Sequence, residues 1–188
     1  HPATAKFIAT KLCQRFIADE PPSEAVSVVA EKFIASGGDI PATLRALFAT
    51  DAFRTTRGNK LKRPFHYIVS ALRATHATTD AGRVIEDYLL RMGHAPFHYP
   101  TPDGYPEKAA PWLGTLLWRW NFAVALTNNQ LDSDTKLDAE KLRASFATEE
   151  NLMAHLLGRA PTADEVAASK DSGAPLALLL ASPSFQKC

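Results

Sequence analysis

Apolar residues recur along this chain at the spacing of an α-helix and almost nowhere at the alternating spacing of a β-strand. Four segments show the helical pattern most clearly. Their apolar positions are Ala5, Ile8, Leu12 and Phe16; Phe65, Ile68, Val69 and Leu72; Ile85, Tyr88, Leu89 and Met92; and Leu113, Leu116, Leu117, Trp120 and Val124. A stripe of this kind is the face that a helix buries against its neighbours. The pattern therefore predicts an all-α fold.

Residues 111–128 form the most apolar of these helices. Besides the stripe that includes Trp120, a second side of the helix carries Trp118 and Phe122. A helix that is apolar on two sides is usually surrounded by other elements. We therefore expect this helix in the middle of the fold, with Trp120 buried.

Two polar residues, Arg119 and Asn121, interrupt this apolar helix. Burying such groups without a hydrogen-bond partner costs roughly 1–3 kcal/mol or more, so each needs a partner. We predict that they form a buried polar node in which Arg119 hydrogen-bonds to the segment 94–111.

Capping residues and glycines mark the ends of the helices. Gly37-Gly38 and Gly93 each follow a helical stripe, where glycine can adopt the left-handed conformation that ends a helix. Thr162 followed by Glu165 predicts a capping box at the start of another helix. Signals of this kind divide the chain into about nine helices. Because 188 residues suit one domain, we expect a single compact helical domain over residues 1–188.

Composition and charge narrow the class of protein. The chain is 46% apolar and 22% charged, with a formal net charge of +1. These values are typical of a soluble globular domain and give no overall attraction to nucleic acid or to a membrane surface. No apolar run approaches the ~20 residues of a membrane-spanning helix. The sequence contains no Gly-x-Ser-x-Gly, phosphate-binding glycine loop, His-Glu-x-x-His or Cys-x-x-Cys motif, and we expect no cofactor.

The two cysteines are too few for a disulfide framework. Cys13 lies among apolar residues, where we expect a buried thiol that packs as a small hydrophobic side chain. Cys188 is the last residue of the chain. A bridge between the two would require the C-terminus to pack on the first helix, and the sequence leaves this open.

Residues 94–111 contain five prolines and cannot form a helix. The side chains of this segment that could transfer protons or bind a ligand are His94, His98, Tyr99, Asp103 and Tyr105. Three interpretations stay open: a structural strap, the edge of a ligand site, and a metal site. His94 and His98 are the weak candidates for metal ligands, since zinc would need a third protein ligand as well.

Residues 54–63 form a second irregular connection, and they are strongly basic. The candidates there for binding an anion or a partner are Arg54, Arg57, Lys60, Lys62 and Arg63. A cluster of this kind binds phosphate, sulfate or an acidic protein surface, or is simply solvated or paired within the fold. Only Phe65 and Tyr67 follow as aromatic residues, which argues against nucleic acid.

Four segments carry a resemblance to a known family. They are His1-Pro-Ala-Thr-Ala-Lys-Phe-Ile-Ala-Thr-Lys-Leu-Cys-Gln-Arg-Phe-Ile, Ser36-Gly-Gly-Asp-Ile, Lys62-Arg-Pro-Phe-His-Tyr-Ile-Val-Ser-Ala-Leu-Arg-Ala and Leu179-Leu-Ala-Ser-Pro-Ser-Phe-Gln. In this order the chain resembles the C-terminal part of bacterial proteins of the domain of unknown function 1800 family. An Arg followed by Asn-Phe recurs in that family, and Arg119, Asn121 and Phe122 match it here.

The resemblance implies an exported protein, periplasmic or secreted, because family members often look exported. It also implies a longer N-terminal region, which would be a partner of this part of the protein. The family has no assigned activity.

Three hypotheses about function follow. The first is a non-catalytic interaction or assembly module, which is favoured because no catalytic motif is present. The second is half of an enzyme whose site is completed by the N-terminal region. Its candidate acid, base and anchoring groups are His98, Asp103, Tyr105 and Arg119. The third is binding of an anionic polymer or glycan through residues 54–63.

Overall fold

The structure of the chain is a computed structural model, which describes residues 1–56 and 58–188. The α-helices are α1 (Pro2–Phe16), α2 (Ser23–Ala35), α3 (Ile40–Phe48), α4 (Asp51–Thr55), α5 (Pro64–Ala74), α6 (Arg83–Arg91), α7 (Leu116–Thr127), α8 (Ala139–Ala144), α9 (Glu149–Leu157), α10 (Ala163–Asp171) and α11 (Pro175–Ala181), and a 3-10 helix at Ala110–Thr115 precedes α7. No β-strand occurs in these ranges, although an isolated bridge pairs Thr78 with Lys136. The predicted all-α fold is confirmed, and nine of the described α-helices have seven or more residues.

The predicted caps form as the sequence indicated. The Thr162 hydroxyl accepts a hydrogen bond from the Glu165 backbone N–H at 3.3 Å, and the Glu165 carboxylate accepts one from the Thr162 N–H at 2.8 Å. These reciprocal bonds are the predicted capping box of α10. Gly37, Gly38 and Gly93 have φ values of 65°, 88° and 69°. They therefore occupy the left-handed region in which glycine ends a helix without steric cost.

The described chain forms two compact units. The first unit comprises His1–Leu61, Pro106–Ala109 and Cys188, and the second comprises Lys62–Tyr105 and Ala110–Lys187. The single domain over residues 1–188 stays a prediction. No helix in the described ranges is both long and apolar enough to cross a membrane.

The first unit packs α1, α2 and α3 around a small core. Its fully buried residues include Ala9, Cys13, Val29 and Leu47. Cys13 is a free, buried thiol as predicted, and burial raises its pKa to about 11. Cys188 is free as well, so the two cysteines are not bridged in this structure.

The second unit contains α5 to α11 and the larger core. Tyr67 of α5 packs edge-on against Phe122 of α7 and Phe185, with ring centroids 6.1 and 6.0 Å apart. Tyr88 of α6 lies 5.2 Å from Phe122. These aromatic contacts join α5, α6 and α7 to the segment after α11.

The orientation of α7 overturns one prediction. Trp120 is 42% exposed, and the helix instead buries Arg119, Phe122, Ala123 and Leu126. The buried set and the predicted set of Leu113, Leu116, Leu117 and Trp120 both have the i, i+3, i+4, i+7 spacing of a buried face. Periodicity alone therefore cannot choose between them. The structure buries the set that contains the arginine and leaves the more apolar set in solvent.

The two irregular loops are shorter than predicted. Arg54 and Thr55 belong to α4, and the 3-10 helix already begins at Ala110. The segment from 94 to 109 contains no α-helix, as its prolines require.

Candidate functional site

Arg119 is the most unusual side chain of the second unit. It has no exposed surface (0%). Its Nε donates a hydrogen bond to Thr115 Oγ1 at 3.1 Å, one turn earlier in the chain. Within the part of the chain that the structure describes, neither Nη1 nor Nη2 has a hydrogen-bond partner. The predicted hydrogen bonds from Arg119 to the segment 94–111 are therefore not formed, and the bond to Thr115 uses only Nε.

Tyr67 of α5 covers one side of this guanidinium. The Arg119 Cζ lies 5.2 Å from the centroid of the Tyr67 ring, a cation–π distance. The Tyr67 hydroxyl donates to the Arg119 backbone carbonyl at 2.9 Å. Burial raises the pKa of the phenol, an effect that the Arg119 charge opposes. Tyr67 therefore stays neutral and offers Arg119 a ring face, not an anionic oxygen.

The charge state of Arg119 sets what the site can do. Burial lowers its pKa to about 10, against a smaller effect of Tyr67 in the opposite direction. The guanidinium is thus still cationic at neutral pH. Buried charges are normally paired, because the cost of leaving one unpaired is several kcal/mol. This site can therefore hold an anion on two adjacent N–H donors.

His94 lies in the same unit and is 7% exposed. Its Nδ1 accepts a hydrogen bond from the Phe65 backbone N–H at the start of α5, at 3.1 Å. The proton of the neutral ring is therefore on Nε2. The ring packs 4.5 Å from that of Tyr105 and 4.9 Å from that of Trp112. Tyr105 in turn donates from its hydroxyl to the Ala95 carbonyl at 2.6 Å, which closes this turn of the chain.

We expect the stability of the second unit to fall in mild acid because of His94. Burial, together with the charges of Arg63, His66 and Arg119, lowers the pKa of His94 from 6.5 to about 4. The unfolded chain therefore binds the proton first, so the contribution of His94 is complete above pH 6.5 and is lost as the pH falls toward 4. Denaturant unfolding followed by tryptophan fluorescence should show a loss of about 1–2 kcal/mol between pH 7 and pH 5. In His94→Gln, which keeps a hydrogen-bond acceptor, the loss should be clearly smaller, and an equal loss would contradict this assignment.

The structure places the other loop candidates at the surface. His98 and Asp103 are exposed, and Asp103 accepts a hydrogen bond from the Thr101 hydroxyl. Tyr99 packs against Tyr105 with ring centroids 4.7 Å apart. Because His94 is buried and His98 is exposed, the two imidazoles do not share one environment. No group of three or more His, Cys, Asp or Glu in the described ranges is placed to hold a metal ion.

The basic candidates of residues 54–63 differ in burial and in their contacts. Lys60 is buried in the first unit, and its Nζ donates to Gln14 O at 2.8 Å, Asp19 Oδ1 at 2.6 Å and Glu107 O at 3.1 Å. All three of its donors are used, so Lys60 has a structural role here. Arg54 is exposed and pairs with Asp51.

Three basic candidates remain, of which Lys62 and Arg63 lie in the second unit. Lys62 places its Nζ 4.0 Å from the centroid of the Phe185 ring, a cation–π contact. Arg63 precedes α5 and contributes positive charge near His94. Arg57 lies outside the described residues.

A surface groove of about 470 Å³ in the first unit includes the candidate Arg54. Two further grooves contain other residues. In the first unit, α1 and α2 border a groove of about 530 Å³ that includes Lys6, Val26 and Glu31. In the second unit, a groove of about 480 Å³ includes Arg143, Glu150 and Lys170. Neither contains a candidate from the sequence.

Sequence reasoning found Arg119 but missed its surroundings. Tyr67 and Thr115 were assigned no role, although Thr115 lies four residues before Arg119 and so shares its helical face. That spacing was the available signal for Thr115. Tyr67 is separated from Arg119 by 52 residues, and only the fold brings them together.

Comparison with known proteins gives the family but no closer relative. Neither curated proteins nor solved structures yield a match to this chain. A family model described as "Protein of unknown function (DUF1800)" matches residues 1–187. The match covers the segments that carried the resemblance, including the α7 residues of the site, and the chain therefore belongs to the DUF1800 family.

Proposed function

We propose that this chain is a helical assembly unit of an exported bacterial protein, and that it self-associates through α7. The observation that carries the proposal is the exposed apolar face of that helix. Leu113, Leu116, Leu117 and Trp120 are 54%, 46%, 66% and 42% exposed. A soluble domain seldom leaves its most apolar helical stripe in water unless the stripe meets a partner.

The face has the geometry of a helix–helix interface. Leu116 and Leu117 lie four and three residues before Trp120 on α7, so these side chains form one row on the helix, and Leu113 precedes them in the 3-10 helix. No acidic residue occurs from Ala110 to Gln130, and the one charged side chain there, Arg119, points into the core. The row therefore meets a partner without burying a charge.

These features favour a second copy of the chain as the partner. In a two-fold dimer each protomer uses the same patch, so the patch must be complementary to itself. An uncharged row of leucines and one tryptophan meets this condition, since two copies bring apolar surfaces together and no like charges. The row exposes only a few hundred Å², at or below the lower end for stable dimers, so association should be weak and concentration-dependent.

The proposal predicts that Leu117→Lys abolishes self-association. Light scattering after size exclusion, at loadings from micromolar to hundreds of micromolar, should show the wild-type mass rising toward that of a dimer. In Leu117→Lys the mass should stay that of a monomer, because two lysines would be buried against apolar surface. The helical content and unfolding midpoint should be unchanged, since position 117 is exposed.

Leu90→Lys is the matched control. Leu90 is 44% exposed in α6 and lies outside the row. This variant should associate as the wild type does. A wild-type protein that is monomeric at every loading, or a Leu90→Lys variant that loses association equally, would contradict the proposal.

The enzyme hypothesis receives less support from the geometry. Its four candidates do not share one environment. His98 and Asp103 lie at the surface, Tyr105 is half-buried, and Arg119 lies in the interior. The polymer-binding hypothesis loses one of its donors, because Lys60 is fully used inside the first unit. Neither arrangement presents several functional groups to one substrate.

A further inference from the structure

The guanidinium of Arg119 is the buried polar group that the assembly proposal does not use. We propose that its Nη1 and Nη2 form a binding site for a carboxylate. Both atoms are buried and without a hydrogen-bond partner among the described residues, while Nε is already occupied by Thr115. The inference is independent of self-association, because Arg119 lies on the opposite face of α7 from Leu117.

The cost of burying unpaired donors favours a bound ligand at Arg119. Each buried donor that lacks an acceptor loses its hydration, and here the four N–H groups of Nη1 and Nη2 do so, while the charge has only the ring face of Tyr67 beside it. Methionine of similar length would fill the same space without that cost. A folded chain that keeps the arginine in this position therefore indicates that an acceptor binds there.

The paired donors and the local positive charge fit a carboxylate as the acceptor. The free edge of the guanidinium presents one N–H from each Nη, in parallel, which matches the two oxygens of a carboxylate. Tyr67 covers a face of the group with its ring, and its hydroxyl is committed to the Arg119 carbonyl. Arg63 is cationic and lies close enough to help lower the pKa of His94 in the same unit, so it attracts an anion and does not compete with it.

The same chemistry can come from two sources, a small free carboxylate or the terminus of a polypeptide. Sodium acetate represents the first and N-acetylglycine the second, and sodium chloride at equal ionic strength corrects for general salt effects. Because Arg119 has no exposed surface, binding requires local opening of the residues that cover it.

The test is thermal unfolding of the whole chain at pH 7, followed by tryptophan fluorescence, in rising concentrations of each salt. A ligand that binds only the folded state raises the midpoint in proportion to ln(1 + [L]/Kd). We expect a rise of several degrees with at least one carboxylate beyond that in chloride. A larger effect of N-acetylglycine would identify a polypeptide terminus, and a larger effect of acetate would identify a small free anion.

Variants locate the site. Arg119→Met should remove the carboxylate-dependent rise while folding normally or more stably in chloride, and Arg119→Lys should greatly reduce it, because lysine lacks the paired donors. Arg73→Met, at an exposed arginine of α5, should respond as the wild type does. The proposal is overturned if neither carboxylate exceeds chloride for the wild type, or if Arg119→Met retains the full rise. The wild-type titration decides the matter even where a variant fails to fold.

Discussion

Replacing Lys60 by methionine should destabilise the first unit by about 3–5 kcal/mol, the range for removing one partner of a buried ion pair. The Lys60 ammonium is 2.6 Å from the Asp19 carboxylate and also donates to two backbone carbonyls, those of Gln14 and Glu107. Burial would raise the pKa of Asp19, but the hydrogen bonds from Lys60 and the Ala109 N–H hold it below its usual value. Removing Lys60 therefore takes a donor from two backbone carbonyls and leaves the Asp19 carboxylate with the Ala109 N–H and the charge of Lys108.

The chain offers separate probes for this measurement. Its three tryptophans all lie in the second unit, whereas Cys13 is buried in the first. The reaction of Cys13 with a thiol reagent in rising urea therefore reports opening of the first unit, after the rapid reaction of the exposed Cys188 is subtracted. Lys108→Met is the control, since Lys108 pairs with Glu20 at the surface and its loss should leave the midpoint in place. Similar midpoints for Lys60→Met and the wild type would show that the buried pair does not hold this unit together.

Replacing Phe122 by alanine should cost about 3–5 kcal/mol, whereas Trp120→Ala, two residues away, should cost clearly less. Phe122 is fully buried and packs against Tyr67 and Tyr88, so its removal leaves a cavity at the centre of the second unit. Trp120 is 42% exposed, so its truncation opens no enclosed cavity.

This pair tests which face of α7 is inside. Urea unfolding followed by circular dichroism at 222 nm and by the remaining tryptophans gives both free energies under the same conditions. The reverse order, with Trp120→Ala the more harmful change, would mean that the apolar row is buried and the arginine is exposed. The surface proposed for self-association and the carboxylate site would then both be wrong.

The sequence was most informative where short-range chemistry decides the structure. The helices begin at residues such as Asp39, Thr148 and Thr162, whose side chains bond to backbone N–H groups three residues later. These interactions join residues that are close in the chain, so they can be predicted from the sequence. Candidate residues were predicted less well, because Lys60 and His94 differ from Arg54 and His98 in burial, and burial depends on contacts with distant parts of the chain.

By itself, the sequence determined that the chain is helical and where most helices start and end. The helical period and the caps are sufficient for those conclusions. Only the tertiary structure decided which face of α7 is buried, since the two faces have the same spacing and the core accepts the arginine beside Tyr67. It likewise decided that Lys60 is a structural cation and not a surface donor, because its three acceptors come from positions as far apart as Gln14 and Glu107.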